Sequence, residues 1–269
     1  ILIIDGYLPS ARQHLINNNV TPAGILYRNL LTHIAQVDTH IIYPANKHYI
    51  QPNLHNYHGI VWTGCSSSVL DKTYSVNKQI KLATDSFNIG VPSFGSCWGI
   101  QVANVAAGGS CRVNPNGREM GFARKIKLNS LGRNHPMYKN KNYVFDAFIS
   151  HDDEIDNLAK DANSLCGNLH TGIQAIEIKY KKGTFWGTQY HPEYNLREMS
   201  RLIYCRIEKL INLGFFNNYK DALNYIKDLE TLYYSPDRKD IAWRLNIDQD
   251  TMCDDYRYLE ISNWLKFIL

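Results

Sequence analysis

The stretch VPSFGSCWGIQVANVAAGG, residues 91–109, decides the fold. A short apolar run, Val91 to Phe94, meets Gly95-Ser96-Cys97-Trp98-Gly99, and an Ala-rich helical pattern runs on from about Trp98 to Ala107. A strand that turns at once into a helix makes a sharp elbow. The positions two before and two after the hinge must be small there, and they are Gly95 and Gly99, a cysteine version of the G-x-S-x-G arrangement. The hinge places Cys97 at a helix N-terminus, where partial positive charge favours thiolate over thiol. The Trp98 amide points the same way, as one oxyanion donor. A lone free cysteine is more often a small core residue. The paired glycines and the strand–helix context shift the reading of Cys97 to a nucleophile, provided a base exists elsewhere.

The base candidate lies in GTQYHPEY, residues 187–194. His191 follows the strand-like run TFWGTQY, and Pro192 stops the strand. Glu193, two residues on, is placed to curl back and hold the imidazole. The expected arrangement is Cys97–His191–Glu193: the histidine takes the thiol proton, and the carboxylate fixes its tautomer and stabilises the imidazolium. Most of the ten histidines have no such context and read as ordinary core or surface residues.

Outward from the elbow, strand-like and helical runs alternate. Strands are expected at 1–4, 39–45, 58–64 and 91–94, with helices at about 24–36, 77–90 and 98–107. Gly90 is the expected C-cap of the second helix. This alternation argues an α/β fold: three layers, an open, mostly parallel sheet with helices on both faces. Sites in such sheets form outside the carboxyl ends of the strands, where Cys97 sits. The middle changes character. Closely spaced strand candidates at 121–129, 142–151, 173–180 and 183–191 fit a mixed or antiparallel extension. From Asn195 the pattern is helical, at 197–214, 219–235, 238–247 and 254–269.

The chain has 269 residues, 44% hydrophobic and 20% charged, with net charge +4. These values describe a folded, soluble protein. There is no run near the roughly 20 apolar residues of a membrane span, and no basic block that implies nucleic acid. ILIIDGY at the start reads as a core strand without a secretory n-region, and the missing Met as a start after a trimmed stretch. The six scattered cysteines read as reduced thiols in a cytoplasm-like compartment. No Walker-type phosphate loop is present, and no cofactor is implied. HDDE at 151–154 does not read as a metal site, because four adjacent ligands on one strand cannot all point inward.

Taken together, GSCWGIQ resembles the G-x-C-x-G-x-Q elbow of class I glutamine amidotransferases, and YHPEY resembles their H-P-E motif. The order, elbow first and His-x-Glu about ninety residues later, also fits. HGIVWTGCSSSV at 58–69 sits where the family carries its oxyanion segment. FISHDDEI at 148–155 resembles the Ser-His stretch of the GMP-synthetase type. The resemblance covers about residues 1 to 210. It implies the flavodoxin-like fold of the family and cleavage of the γ-glutamyl amide of glutamine or a related small molecule through a Cys97 thioester. It assigns the oxyanion hole to the Gly64–Cys65 turn and the Trp98 amide. Gln101, Ser150 and His151 match positions at the amino-acid end of the substrate.

Two departures stand out. Gly64-Cys65-Ser66 replaces a Gly-Gly-Pro turn, and residues 8–24 form a polar insertion placed to act as a lid. The stretch 114–125, NPNGREMGFARK, reads either as a partner or channel surface or as a solvated loop. Domain organisation is expected as a catalytic domain, 1–213, plus a helical extension, 214–269. The extension carries net charge −3 against +7 for the rest, a poor DNA reader. It reads as a helical cap or a homodimer contact, with Trp243 and Trp264 as packing anchors. Three functions stay open: a glutaminase feeding ammonia to a separate synthase subunit, a γ-glutamyl peptidase-type hydrolase acting alone, and a non-catalytic binding or regulatory protein on the same fold.

Overall fold

The computed structural model describes residues 1–269. In chain order the elements are β1 (Leu2–Ile4), α1 (Pro9–Asn17), α2 (Ala23–Ile34), β2 (His40–Ile42), β3 (Ile60–Trp62), α3 (Tyr74–Ile89), β4 (Ser93–Ser96), α4 (Trp98–Ala106), β5 (Ser110–Val113), β6 (Glu119–Leu128), α5 (Ser130–Asn134), β7 (Val144–His151), β8 (Asp153–Asn157), β9 (Ala162–Gly167), β10 (Ala175–Tyr180), β11 (Gly183–Thr188), α6 (Leu196–Cys205), α7 (Ile207–Asn212), α8 (Tyr219–Tyr234), α9 (Lys239–Leu245), α10 (Gln249–Met252), α11 (Asp254–Arg257) and α12 (Leu259–Ile268).

Nine strands make one sheet, in the order β2-β1-β3-β4-β11-β10-β9-β6-β7, and β5 pairs with β8 in a separate ribbon. Neighbours from β2 to β11 are parallel. Neighbours from β11 to β7 are antiparallel. Side chains alternate along each parallel strand. Leu2, Ile4 and Trp62 therefore join one core with Trp98 and Ile100 of α4, while Ile3, Val61 and Phe94 join another with Tyr27 and Leu31 of α2 and Trp264 of α12. Helices thus cover both faces, the three-layer arrangement expected from the aliphatic strands.

The antiparallel half curls. Register slips between Ala123 and Ile126, Lys125 adopts φ 51°, and its amide donates to Asp146 Oδ1 at 2.7 Å. A bulge of this kind bends a strand. The outermost strand, β7, comes back to the mouth of β11, where the Phe148 carbonyl accepts from the His191 amide at 2.8 Å.

The remaining helices seal this curled flank. Met199, Leu210, Leu229 and Ile241 close over Phe122 and Phe148 in a third cluster. Trp264 is buried as expected, but Trp243 is 77% exposed, which corrects its reading as an anchor. Ile241, Ala242 and Leu245 face inward on α9, so Trp243 falls on the opposite side. The insertion at 8–24 is not a loose loop: it folds α1, and Leu15 and Val20 pack on Tyr7 and Leu202. The ribbon β5–β8, strand β9 and helix α1 are elements the sequence pattern did not announce.

Candidate active site

Strands β3, β4 and β11 are adjacent and parallel, so their carboxyl ends bring three loops together: Gly64–Cys65, Cys97, and His191–Glu193. Cys97 caps α4 with φ 50° and ψ −100°, a left-handed conformation that costs a side-chain-bearing residue about 1–3 kcal/mol. Its amide donates to Thr188 O at 2.8 Å. The glycines do what the elbow requires. A Cβ on Gly95 would lie 3.0 Å from Gly99 Cα, and one on Gly99 would lie 2.7 Å from Trp62 Cβ.

The His191 ring is fixed on every side. Tyr194 stacks on one face, with centroids 4.0 Å apart and planes within 2°. A Cβ on Gly64 would come within 2.8 Å of His191 Cε1 and 3.8 Å of Cys97 Cβ, so ring and thiol flank one glycine. His191 Nδ1 lies 2.7 Å from Glu193 Oε1. That carboxylate also accepts from Ser96 Oγ at 2.8 Å and from the Tyr27 hydroxyl at 3.3 Å. Nδ1 therefore carries the proton toward Glu193, and buried Nε2 is the nitrogen without an oxygen or nitrogen partner. Burial works to lower the His191 pKa. The Glu193 charge and the interactions with Glu193 and the Cys97 thiol outweigh it and lift the value to about 9.

The Gly64–Cys65 turn accommodates its cysteine. Cys65 does not have positive φ, and its Sγ turns back to donate to Gly6 O at 3.2 Å. Burial pushes this thiol up to about 11, so it stays protonated beside the Cys97 sulfur. Neither the Cys65 nor the Trp98 amide donates to another group of the protein. Gly64 serves a purpose beyond the turn, since it is the surface on which the His191 ring lies.

Cys97, Cys65, Gln101, Ser150 and His151 line one cavity of about 160 Å³. This is small beside the roughly 300–1,000 Å³ of drug-sized sites, and suits an amino-acid-sized group. Gln101 and His151 form its rigid wall: Gln101 Nε2 donates to Asp153 O at 2.8 Å, and His151 bridges Asp153 O and Glu119 at 2.8 and 3.2 Å. The acidic residues after His151 diverge. Asp152 pairs with Arg118 and Lys209, Asp153 accepts from Ser68, and Glu154 pairs with Arg112.

Three cations at this cavity, Arg118, Arg206 and Lys209, were not singled out from the sequence. Arg118, from the stretch read as a surface or solvated loop, has a side chain only 5% exposed. Arg206 interrupts the expected helix 197–214, separating α6 from α7. Its spacing carried a signal, because it falls on the apolar stripe Met199, Leu202, Ile203, Leu210.

The family model for glutamine amidotransferase class-I matches residues 20–207. The chain belongs to that family. Among relatives of this class I amidotransferase, a gamma-glutamyl-L-1-hydroxyisopropylamide hydrolase of Pseudomonas is 33% identical over 242 residues, covering 87% of this chain and 81% of the relative. A glutamine-hydrolysing GMP synthase of Neisseria meningitidis is 29% identical over 152 residues, 56% of this chain but 27% of the synthase. The amidotransferase chain therefore spans only about a quarter of that larger relative. In fold, a glutamine amidotransferase of Thermotoga maritima superposes with TM-score 0.69 at 16% identity, covering 99% of this chain and 96% of the other. One from Methylobacillus flagellatus gives 0.62 at 17% identity, covering 78% and 76%. As a class I amidotransferase the chain is an amide-hydrolysing enzyme.

Proposed function

We propose that the chain hydrolyses γ-glutamyl amides, with Cys97 as nucleophile, His191 as acid–base and Glu193 as its orienter. The observation that carries this is the meeting of a strained thiol elbow with a buried histidine whose Nδ1 is occupied and whose Nε2 is not. Cys97 first gives its proton to His191 Nε2, and the resulting thiolate attacks the γ-carbonyl carbon. The oxyanion is met by the Cys65 and Trp98 amides. The carbon–nitrogen bond breaks as His191 returns the proton to the leaving amine, giving a γ-glutamyl thioester. Water then gives a proton to His191 and attacks the thioester. The carbon–sulfur bond breaks, the thiol regains its proton, and glutamate leaves.

Hydrolysis by the lone chain is favoured by the extent of the likeness to the Pseudomonas hydrolase, which covers 87% of this chain, more than the family region at 20–207. Ammonia delivery to a separate synthase subunit is the second reading, supported by the GMP synthases among the relatives. Six unpaired thiols suit a reducing, cytoplasm-like setting.

The purified chain is expected to release glutamate from γ-glutamyl alkylamides unaided. A glutamine-like electrophile is expected to add one equivalent at Cys97, seen by peptide mass analysis, and Cys97→Ala to abolish turnover with the fold intact. Activity that survives Cys97→Ala would refute the mechanism. Silence of the wild-type chain until a second protein is added would favour the ammonia-donor reading.

A further inference from the structure

The cavity at Cys97 holds three cationic side chains, Arg118, Arg206 and Lys209, against two carboxylates, Asp152 and Asp153. The charges are not evenly matched. Asp152 Oδ2 takes Arg118 at 2.6 Å and Lys209 at 2.8 Å, while Asp153 is turned to Ser68. Arg206 has no carboxylate partner: its one side-chain hydrogen bond runs from a terminal nitrogen to Ser150 Oγ at 2.6 Å. Arg118 donates to the same oxygen at 2.8 Å, so two guanidinium groups converge on one hydroxyl. The remaining Arg206 donors are not fully buried, whereas Arg118 Nε is buried without a partner. Two facing cations repel, and burial together with Arg206 lowers the Arg118 pKa. Such a pair in a small cavity is an anion-accepting arrangement, because guanidinium forks bind carboxylates.

The anion has a natural source if the functional reading above holds, and the inference rests on that reading. Ser150 O lies 3.6 Å from Cys97 Sγ, so the arginine-bearing hydroxyl belongs to the residue that touches the nucleophile. In a γ-glutamyl group the α-carboxylate is separated from the reacting carbonyl by three carbons, one side of the cavity away. We propose that Arg206, backed by Arg118, is the residue that recognises the α-carboxylate of the glutamyl group and makes the enzyme specific for γ-glutamyl over simple acyl amides. Ser150 then acts as a positioning residue, holding both guanidinium groups rather than the substrate. The specificity element lies at the α6–α7 break, 109 positions beyond the nucleophile in the sequence.

The test is a cycle of side chain against ligand group. Binding of L-glutamate and of 4-aminobutyrate, which lacks the α-carboxylate, is measured by calorimetry on wild type, Arg206→Met and Arg206→Lys. Kinetics follow with γ-glutamylmethylamide and γ-glutamylglycine. Arg206→Met is expected to weaken L-glutamate and to lower kcat/KM for both substrates by roughly 30-fold or more. It should change 4-aminobutyrate binding by less than about 3-fold, and Arg206→Lys should recover part of the loss. Equal losses for both ligands would overturn the proposal, as would undiminished L-glutamate binding. Loss confined to γ-glutamylglycine would also overturn it, by placing Arg206 at a carboxylate of the leaving amine. If wild type binds L-glutamate through Arg206 yet hydrolyses neither substrate, the reaction assignment fails and the carboxylate site stands.

Discussion

At the scale of single residues, the site is a balance between burial and charge around His191. Its pKa rises from the ordinary 6.5 to about 9. A group raised in the folded state stabilises the fold fully below its unfolded value, and that stabilisation is lost as pH climbs through the folded one. The window is therefore about pH 6.5 to 9, and the contribution is roughly 3 kcal/mol. Glu193→Gln removes the main upward influence. It is expected to flatten urea-unfolding stability across that window and to draw the alkaline limb of kcat/KM to lower pH. An unchanged profile would assign the shift elsewhere. The Cys97 backbone gives a second prediction. Glycine tolerates φ 50°, ψ −100° without the side-chain penalty, so Cys97→Gly is expected to abolish turnover yet match or exceed wild type in melting temperature. A clear drop would contradict the strain argument. Much of this was legible in one dimension: Gly95, Gly99, His191 and Glu193 announced themselves by residue type and spacing. Arg118 and Arg206 did not announce themselves by type, since arginine in a polar stretch or a helix is usually solvated; Arg118 enters the cavity just ahead of β6, and Arg206 gave only its place on the apolar stripe at the α6–α7 break.

Elements position these residues through contacts far apart in sequence. β11 carries the chain to His191, and just before it the Tyr190 hydroxyl donates to Glu260 Oε1 of α12 at 2.6 Å. Glu260 is fully buried and pairs with Lys141 at 3.1 Å. Tyr138 extends the network, its hydroxyl 2.9 Å from that of Tyr190. Removing one partner of a buried pair strands the other charge, which costs about 3–5 kcal/mol. Glu260→Gln is therefore expected to lower stability by that order in urea unfolding and to reduce turnover, although it lies outside the cavity. Full stability in this variant would show that the pair is dispensable. Strands β1 and β3 were readable because aliphatic runs buried on both faces have little alternative, and β4 because it leads straight into the glycine-flanked elbow. β5, β8 and β9 were not: SCRV, DEIDN and ANSLCG lack both an apolar run and a clean alternation, and their pairing is set by partners distant in sequence.

The whole molecule depends on its last helices more than a division at residue 213 implies. Trp264, Ile261 and Leu265 of α12 sit in the same core as Phe94 and Tyr27, and α8 and α9 complete the cluster over Phe148. Loss of a single large core side chain costs about 3–5 kcal/mol, against a typical total of about 5–15 kcal/mol. A chain of residues 1–213 is therefore expected to lack cooperative unfolding and near-ultraviolet circular dichroism; a sharp transition in that fragment would establish an independent catalytic unit. The grip of Glu260 on Tyr190 also sets a timetable. During translation the cysteine elbow leaves the ribosome long before residue 260, so the strand that delivers His191 is pinned only after residue 260 has emerged. A nascent polypeptide that stops short of residue 260 thus carries the Cys97 thiol without a firmly seated His191 beside it, and the site is complete only once α12 has been made.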